Sequence, residues 1–308
     1  MLIVLALVGA LVAVVALFVA AAHLAPEATL RAFRGLVRRL VRFERRSVRV
    51  LDHEVVYYEG GRGPNLLLLH GFGADKDTWV DYARRLLPHA HVVIPDVPGF
   101  GESSYLASAH YGYLAQVERV KAFVDALGLA PMHVAGNSMG GALAGLYAAS
   151  HPEDVKTLLL MDSAAVEMPK RSPFMERIEA GENPLIMRTL ADVPTLVQYC
   201  FHRQPPLPPF VRKLIAAQAL PRADKNARIF DHIYADANLL EPLLTKIQAP
   251  TLIMWGENDR ILDVSMVDVL ERHIPKQRTV RYPRCGHIPY LELPARSAAD
   301  HLALLRGD

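Results

Sequence analysis

The sequence predicts an α/β fold, a mostly parallel central sheet with helices on both faces, preceded by a transmembrane helix. Three observations carry that reading. Short apolar runs alternate with helical patterns from about residue 50 to residue 165, the signature of strands joined by crossover helices. The alternation then breaks over residues 166–247, which are mostly helical in pattern, and resumes at Pro250. Finally, the first 22 residues contain no charged side chain and no proline.

That opening segment, Met1 to Ala22, would reach roughly 33 Å as a helix, enough to cross a hydrocarbon core. A cleaved secretion signal competes, since Ala20-Ala21-Ala22 resembles a cleavage site. The apolar run is nonetheless long for a signal core and lacks a basic start, which favours a retained anchor over residues 1–25. Residues 26–48 are predicted to form a basic amphipathic helix. Leu30, Phe33, Val37, Leu40 and Val41 fall on one face, and Arg31, Arg34, Arg38, Arg39, Arg42, Arg45 and Arg46 take most of the rest. Eight arginines and one glutamate between residues 31 and 49 make this stretch +7, whereas the whole chain of 308 residues is only +2. Beside a membrane span such a helix reads as lying along anionic headgroups, not on nucleic acid.

The body divides into a first core part (49–165), a helical cap (166–247) and a second core part (248–308). Val50, Val55, Val56, Tyr57 and Tyr58 mark an opening strand before the Gly60-Gly61 turn. In the cap, Met187, Leu190, Leu196, Tyr199 and Phe201 follow a helical pattern, and Pro205-Pro206-Leu207-Pro208-Pro209 forms a hinge. Two cysteines, Cys200 and Cys285, make no disulfide framework. No metal-ligand spacing, phosphate loop or repeat stands out, so no cofactor and no metal are expected.

Gly136-Asn137-Ser138-Met139-Gly140 follows the apolar run Met132 to Ala135 and leads into a small-residue helix. A serine at the apex of a strand–turn–helix, with glycine two places to either side, is a nucleophile elbow. Its partners should follow in the order acid, then histidine. Asp259, past the run Pro250 to Met254, and His287, in Cys285-Gly286-His287, both stand where a strand gives way to a loop. Asp162 also ends a strand and rivals Asp259. Glu257 reads better as a loop residue, and His53, His89, His110, His151 and His202 as ordinary surface or half-buried histidines. His70-Gly71-Phe72-Gly73 offers the second half of an oxyanion site. Backbone N–H groups of Phe72 and Met139 would converge on a carbonyl oxygen, with His70 bracing the loop. Asp96 to Ser103 reads as a structural turn at the rim.

Together these motifs, in this order, resemble the α/β-hydrolase superfamily over roughly residues 50 to 305. Within it the chain is similar to membrane-anchored monoacylglycerol lipases, lysophospholipases and bacterial membrane-bound phospholipases A. The resemblance implies an α/β-hydrolase fold and a Ser138–Asp259–His287 triad acting on carboxylic esters of membrane glycerolipids. It also implies a cap that lines the acyl-chain pocket. Two other readings stand beside it: a C–C bond hydrolase of ring-cleavage products, and a non-catalytic anchored scaffold. The expected setting is a bacterial inner membrane, with the body on the periplasmic side. Small-residue pairs Ala6/Ala10 and Gly9/Ala13 would permit a homodimer.

Overall fold

The computed structural model describes the backbone of residues 1–308 and all side chains except those of Leu2, Ile3, Leu5 and Ala6. Eight strands form one sheet: β1 (Glu44–Val50), β2 (His53–Gly61), β3 (Asn65–Leu69), β4 (His91–Pro95), β5 (Met132–Asn137), β6 (Val155–Met161), β7 (Thr251–Gly256) and β8 (Gln277–Tyr282). Their order is β1-β2-β4-β3-β5-β6-β7-β8. The β1–β2 and β2–β4 pairs are antiparallel and all the others parallel.

Continuous apolar runs suit strands buried on both faces, and the side chains divide by alternation. Leu67 and Leu69 join one core cluster, with Val134, Leu158, Leu160 and Trp255. Leu66 and Leu68 join the other, with Ile94, Leu159, Met161 and Met254. Helices Tyr113–Leu127, Met139–Ser150 and Met266–His273 feed the first cluster, and Pro294–Arg306 feeds the second. Between β6 and β7 the chain forms helices Pro173–Glu179, Val193–Cys200, Pro209–Ala219 and Ala223–Tyr234.

The amino-terminal region departs from expectation. Helix α1 covers Leu2–Leu24, and helix α2 covers Pro26–Val41 rather than running to residue 48. Arg42 turns left-handed (φ 67°) and ends the helix, and Glu44 to Val50 become edge strand β1, paired with β2 from Glu44↔Glu59 to Val50↔His53. Pairing offers these residues a ladder of backbone bonds that a solvated helix end lacks. The charges they carry also guard an open sheet edge. Arg46 pairs with Glu44 and Glu59 there, and Arg45 with Glu102. His53 is also not superficial: it is fully buried between Asp52 and the Tyr111 hydroxyl.

The apolar residues of α2 divide in two. Val37 and Val41 pack on the body, while Phe33, Leu36 and Leu40 are exposed. Phe33 and the cap residue Phe210 both touch Phe18 of α1, with ring centroids 5.7 and 6.3 Å away. Most of α1 is exposed, and among the described residues it is the one helix long and apolar enough to cross a membrane. In the suggested pair Ala6/Ala10, the Ala6 side chain lies outside the described set.

The Asp96–Ser103 turn is fixed by buried charge. Lys76, 1 % exposed, places Nζ 2.7 Å from Asp96 and 2.6 Å from Glu102, while Asp96 also accepts the Lys76 and Glu102 backbone N–H groups. Removing one partner of such a pair strands a buried charge, at a cost of about 3–5 kcal/mol. Lys76→Met should therefore lower the unfolding free energy measured by denaturant titration by that amount. A loss under about 1 kcal/mol would contradict this assignment.

Candidate active site

The centre of the site is the end of β5. Ser138 adopts φ 58°, ψ −119°, a strained conformation for a residue with a side chain. Two glycines permit the turn: a Cβ on Gly136 would overlap the carbonyl oxygen of Gly140, and one on Gly140 would overlap that of Leu69. Ser138 N–H donates to the Met161 carbonyl (3.0 Å), and the Ser138 carbonyl accepts from Ala142 and Ala164. The residue is half-buried and opens the helix Met139–Ser150. As first helical residue, Met139 has no intrahelical acceptor for its N–H.

The loop after β3 lies against this turn: a Cβ on Gly71 would sit 3.3 Å from Ser138 Cβ. His70, fully buried, accepts the Val97 N–H at Nε2 (3.0 Å) and donates from Nδ1 to the Gly71 carbonyl (2.8 Å). These bonds assign the tautomer, and burial lowers its pKa, so His70 is a neutral brace.

Asp259 and His287 meet as the sequence order suggests. His287 Nδ1 is 2.7 Å from Asp259 Oδ2, both residues being buried. Asp259 Oδ1 accepts the Ile261 and Leu262 N–H groups at 2.7 and 3.0 Å, so the carboxylate is held from both ends. Nδ1 therefore carries the proton and Nε2 is the basic nitrogen. Among the described residues Ser138 Oγ makes no hydrogen bond, to His287 or otherwise. Such contacts commonly tighten only in the substrate complex.

Asp162 stands behind this pair. It is buried, has φ 42°, and accepts the Gly256 N–H at 2.9 Å through Oδ1. Among the described residues no N–H reaches its Oδ2. Burial first, then the Asp259 charge, pushes its carboxyl well above the usual range. That shift favours the neutral acid, which spares Asp259 a second buried charge. Glu257 is exposed, its N–H on the Tyr282 carbonyl.

Two further residues escape motif reading. Asn137, inside the elbow, donates from Nδ2 to the carbonyls of Met161 (3.2 Å) and His287 (3.0 Å), tying the serine turn to the histidine loop. Glu292 clasps that loop to the cap: Oε1 accepts from Gly286 N (2.5 Å) and His202 N (3.1 Å), and Oε2 from Arg203 N (3.0 Å). His287 N–H in turn donates to the Cys200 carbonyl (3.0 Å). Both need long-range contacts that spacing does not reveal. Cys200 and Cys285 are free thiols, and burial pushes the Cys200 thiol up to about 12 and raises Cys285 as well, so neither is a ready nucleophile.

Ser138, Met139 and Phe72 open into a cavity of about 510 Å³. Its walls are mainly apolar, with Phe174, Met175, Phe230 and Tyr234 from the cap and Ile261, Leu262 and Met266 from the core. Phe72 packs edge-on to Phe230 at 5.5 Å, joining the loop after β3 to the cap. Among the described residues, ligand-type atoms come within 4.8 Å of one another in two groups, His151/Glu153/Asp154 and Asp162/Asp259/His287. In the second, His287 Nδ1 and three of the four carboxylate oxygens are already hydrogen-bonded as described.

The sequence model of the family described as "alpha/beta hydrolase fold" matches residues 64–294. Lipase 1 of Psychrobacter immobilis is 35% identical over 255 residues, covering 81% of this chain and 80% of the relative. Monoacylglycerol lipase ABHD6 of Mus musculus is 31% identical over 304 residues, covering 94% and 90%. A crystal structure of a membrane phospholipase A, described as a bacterial virulence factor, superposes with a TM-score of 0.89. It is 41% identical and covers 100% of this chain and 99% of that one.

Asp162, its carboxyl raised by burial, makes a pH-dependent contribution. Its folded pKa lies above the unfolded one, so its contribution is full below the unfolded carboxyl range and is lost as pH rises through the folded value. Asp162→Asn keeps an acceptor for Gly256 and supplies N–H donors toward Asp259 at every pH. Its thermal midpoint should match or exceed that of wild type at pH 8, with the gap closing toward pH 4. A variant less stable than wild type at pH 8 would refute the protonated form. Asp162→Ala, which strands the Gly256 N–H, should cost about 1–3 kcal/mol.

Proposed function

This chain belongs to the α/β-hydrolase family, and from that premise we propose that it is a membrane-anchored serine hydrolase of glycerolipid carboxylic esters. The observation that carries this reading is the 2.7 Å His287–Asp259 bond beside the strained Ser138 turn, at the mouth of an apolar cavity of about 510 Å³. An acyl chain suits such walls, and an ester carbonyl at Ser138 would lie beside the Phe72 and Met139 amides.

In the proposed cycle Ser138 Oγ attacks the ester carbonyl as His287 Nε2 takes its proton, and Asp259 stabilises the imidazolium. The N–H groups of Phe72 and Met139 hold the developing oxyanion, a type of donor worth about 10²–10³ in kcat. The tetrahedral adduct collapses, His287 returns the proton to the leaving glycerol oxygen, and an acyl-enzyme remains on Ser138. Water activated by His287 then releases the fatty acid. The relatives' names, lipase, monoacylglycerol lipase and membrane phospholipase A, support a lipid ester as the substrate class.

Anchoring would be by α1, with the exposed Phe33, Leu36 and Leu40 dipping beside it and arginines of α2 at the anionic headgroups. The same reading sets the protein in a bacterial inner membrane with its body on the periplasmic face. An uncleaved export-type segment at the amino terminus supports that side, although the arginines after the span favour the other by charge alone.

Ser138→Ala should reduce kcat/KM on a medium-chain monoacylglycerol by about 10⁴-fold or more and abolish fluorophosphonate labelling, with the protein still in the membrane fraction. Activity within tenfold of wild type would overturn the assignment. For orientation, protease added to intact spheroplasts should digest the body while a cytosolic marker survives. Protection until lysis would place the body inside.

A further inference from the structure

We infer that a second cleft, between α2, the Asp75–Asp77 segment and the cap helix Pro209–Ala219, binds a phosphate-bearing lipid headgroup. The inference rests on the anchored reading above and specifies where one headgroup sits. The cleft has a volume of about 570 Å³ and shares no lining residue with the Ser138 cavity.

Its depth is set by the chain. Glu27, Leu30 and Arg31 of α2 line its rim, within seven residues of the last residue of α1. Seven helical residues span at most roughly 10 Å, so the rim lies near the headgroup layer that borders the hydrocarbon core. Phe33, Leu36 and Leu40 are exposed on the opposite face of the same helix and do not line the cleft.

The charges in the cleft do not cancel. Six cations line it (Arg31, Arg34, Arg38, Arg45, Lys76, Arg222) against four acids (Glu27, Asp75, Asp77, Glu102), and the buried Asp96 behind them also takes Lys76, which leaves a surplus of one positive charge. Three of the acids are consumed internally. Asp75 takes Arg34 at 3.1 Å and Gln218 at 2.5 Å. Asp77 takes Arg34 at 3.4 Å and the Tyr58 hydroxyl at 2.9 Å. Glu102 takes Lys76 at 2.6 Å and Arg45 at 3.2 Å. Glu27 is exposed at the rim. Among the described residues Arg31 and Arg38 have no carboxylate partner, and the Arg38 guanidinium stands 6.0 Å from the Tyr58 ring centroid.

Spaced seven apart, Arg31 and Arg38 share a face of α2, and Gly35 between them has open space where a side chain would stand. Two unpaired guanidinium forks over a satisfied polar floor match the oxygens of a phosphate group. The exposed Arg39 and Arg42, absent from the lining, offer only diffuse charge.

Native mass spectrometry of the full-length protein in detergent, titrated with phosphatidylglycerol, tests the site. Wild type should retain one phosphatidylglycerol. Arg31→Gln with Arg38→Gln should weaken retention at least tenfold, Arg39→Gln with Arg42→Gln less than threefold. Arg31→Lys with Arg38→Lys, which keeps charge and helix surface, should recover at least half of the retention. Equal losses in the two glutamine pairs would mean diffuse attraction and overturn the inference. Displacement of the lipid by millimolar inorganic phosphate would assign the cleft to the free ion instead of a headgroup. Ser138→Ala should retain the lipid fully, and loss there would place the lipid in the catalytic cavity and also overturn it. Fluorophosphonate labelling of Ser138 is read separately, so failure of the cleft leaves the hydrolase reading standing.

Discussion

The backbone turn at Ser138 is the constraint on which the rest of the site depends. Holding a side-chain-bearing residue at φ 58° is unfavourable, and only surrounding contacts keep it there. They require bare backbone at Gly136 and Gly140, because any Cβ would strike a carbonyl oxygen, and a bare Gly71 close to the serine. The same turn aims the start of the helix Met139–Ser150 at the serine and lets Asn137 reach the carbonyl of His287. The proposed nucleophile, amide donors and base are thus positioned by one local distortion of β5.

Much of this geometry is legible in the sequence because it is local. The alternation of Leu66 to Leu69 reads as a strand, the glycine spacing around Ser138 as a turn, and the loop positions of Asp259 and His287 as strand ends. Residues whose roles come from distant contacts are not legible this way. Asp162 ends a strand much as a triad acid would, and only the fold shows Asp259, not Asp162, hydrogen-bonded to His287. Glu292 lies five residues past His287 without a motif of its own, yet it accepts backbone groups from both the histidine loop and the cap.

The arginine-rich stretch misleads for the same reason. Helical periodicity persists through Arg46, but β2 offers a pairing edge that periodicity cannot register, and the chain leaves the helix at Arg42. The apolar face of α2 likewise divides between Val37 and Val41, on the body, and Phe33, Leu36 and Leu40, outside. Two of the cap's attachments lie close to the site. One is the Arg34–Asp75–Gln218 node, which joins it to α2 three residues beyond Phe72. The other is the Glu292 clasp beside His287. Both halves of the proposed catalytic arrangement are therefore braced against the same insertion, so motions of the cap would be felt at the loop after β3 and at His287.

A covalent acyl group on Ser138 is the most direct consequence of the proposed chemistry. Purified full-length protein would be mixed with an excess of a p-nitrophenyl fatty ester, quenched in acid within the first turnover, digested and examined by mass spectrometry. The peptide bearing Ser138 should gain the mass of the acyl group, and His287→Ala should sharply reduce that gain. Hydrolysis at full rate with Ser138 unmodified, or with the acyl group on another residue, would contradict the account.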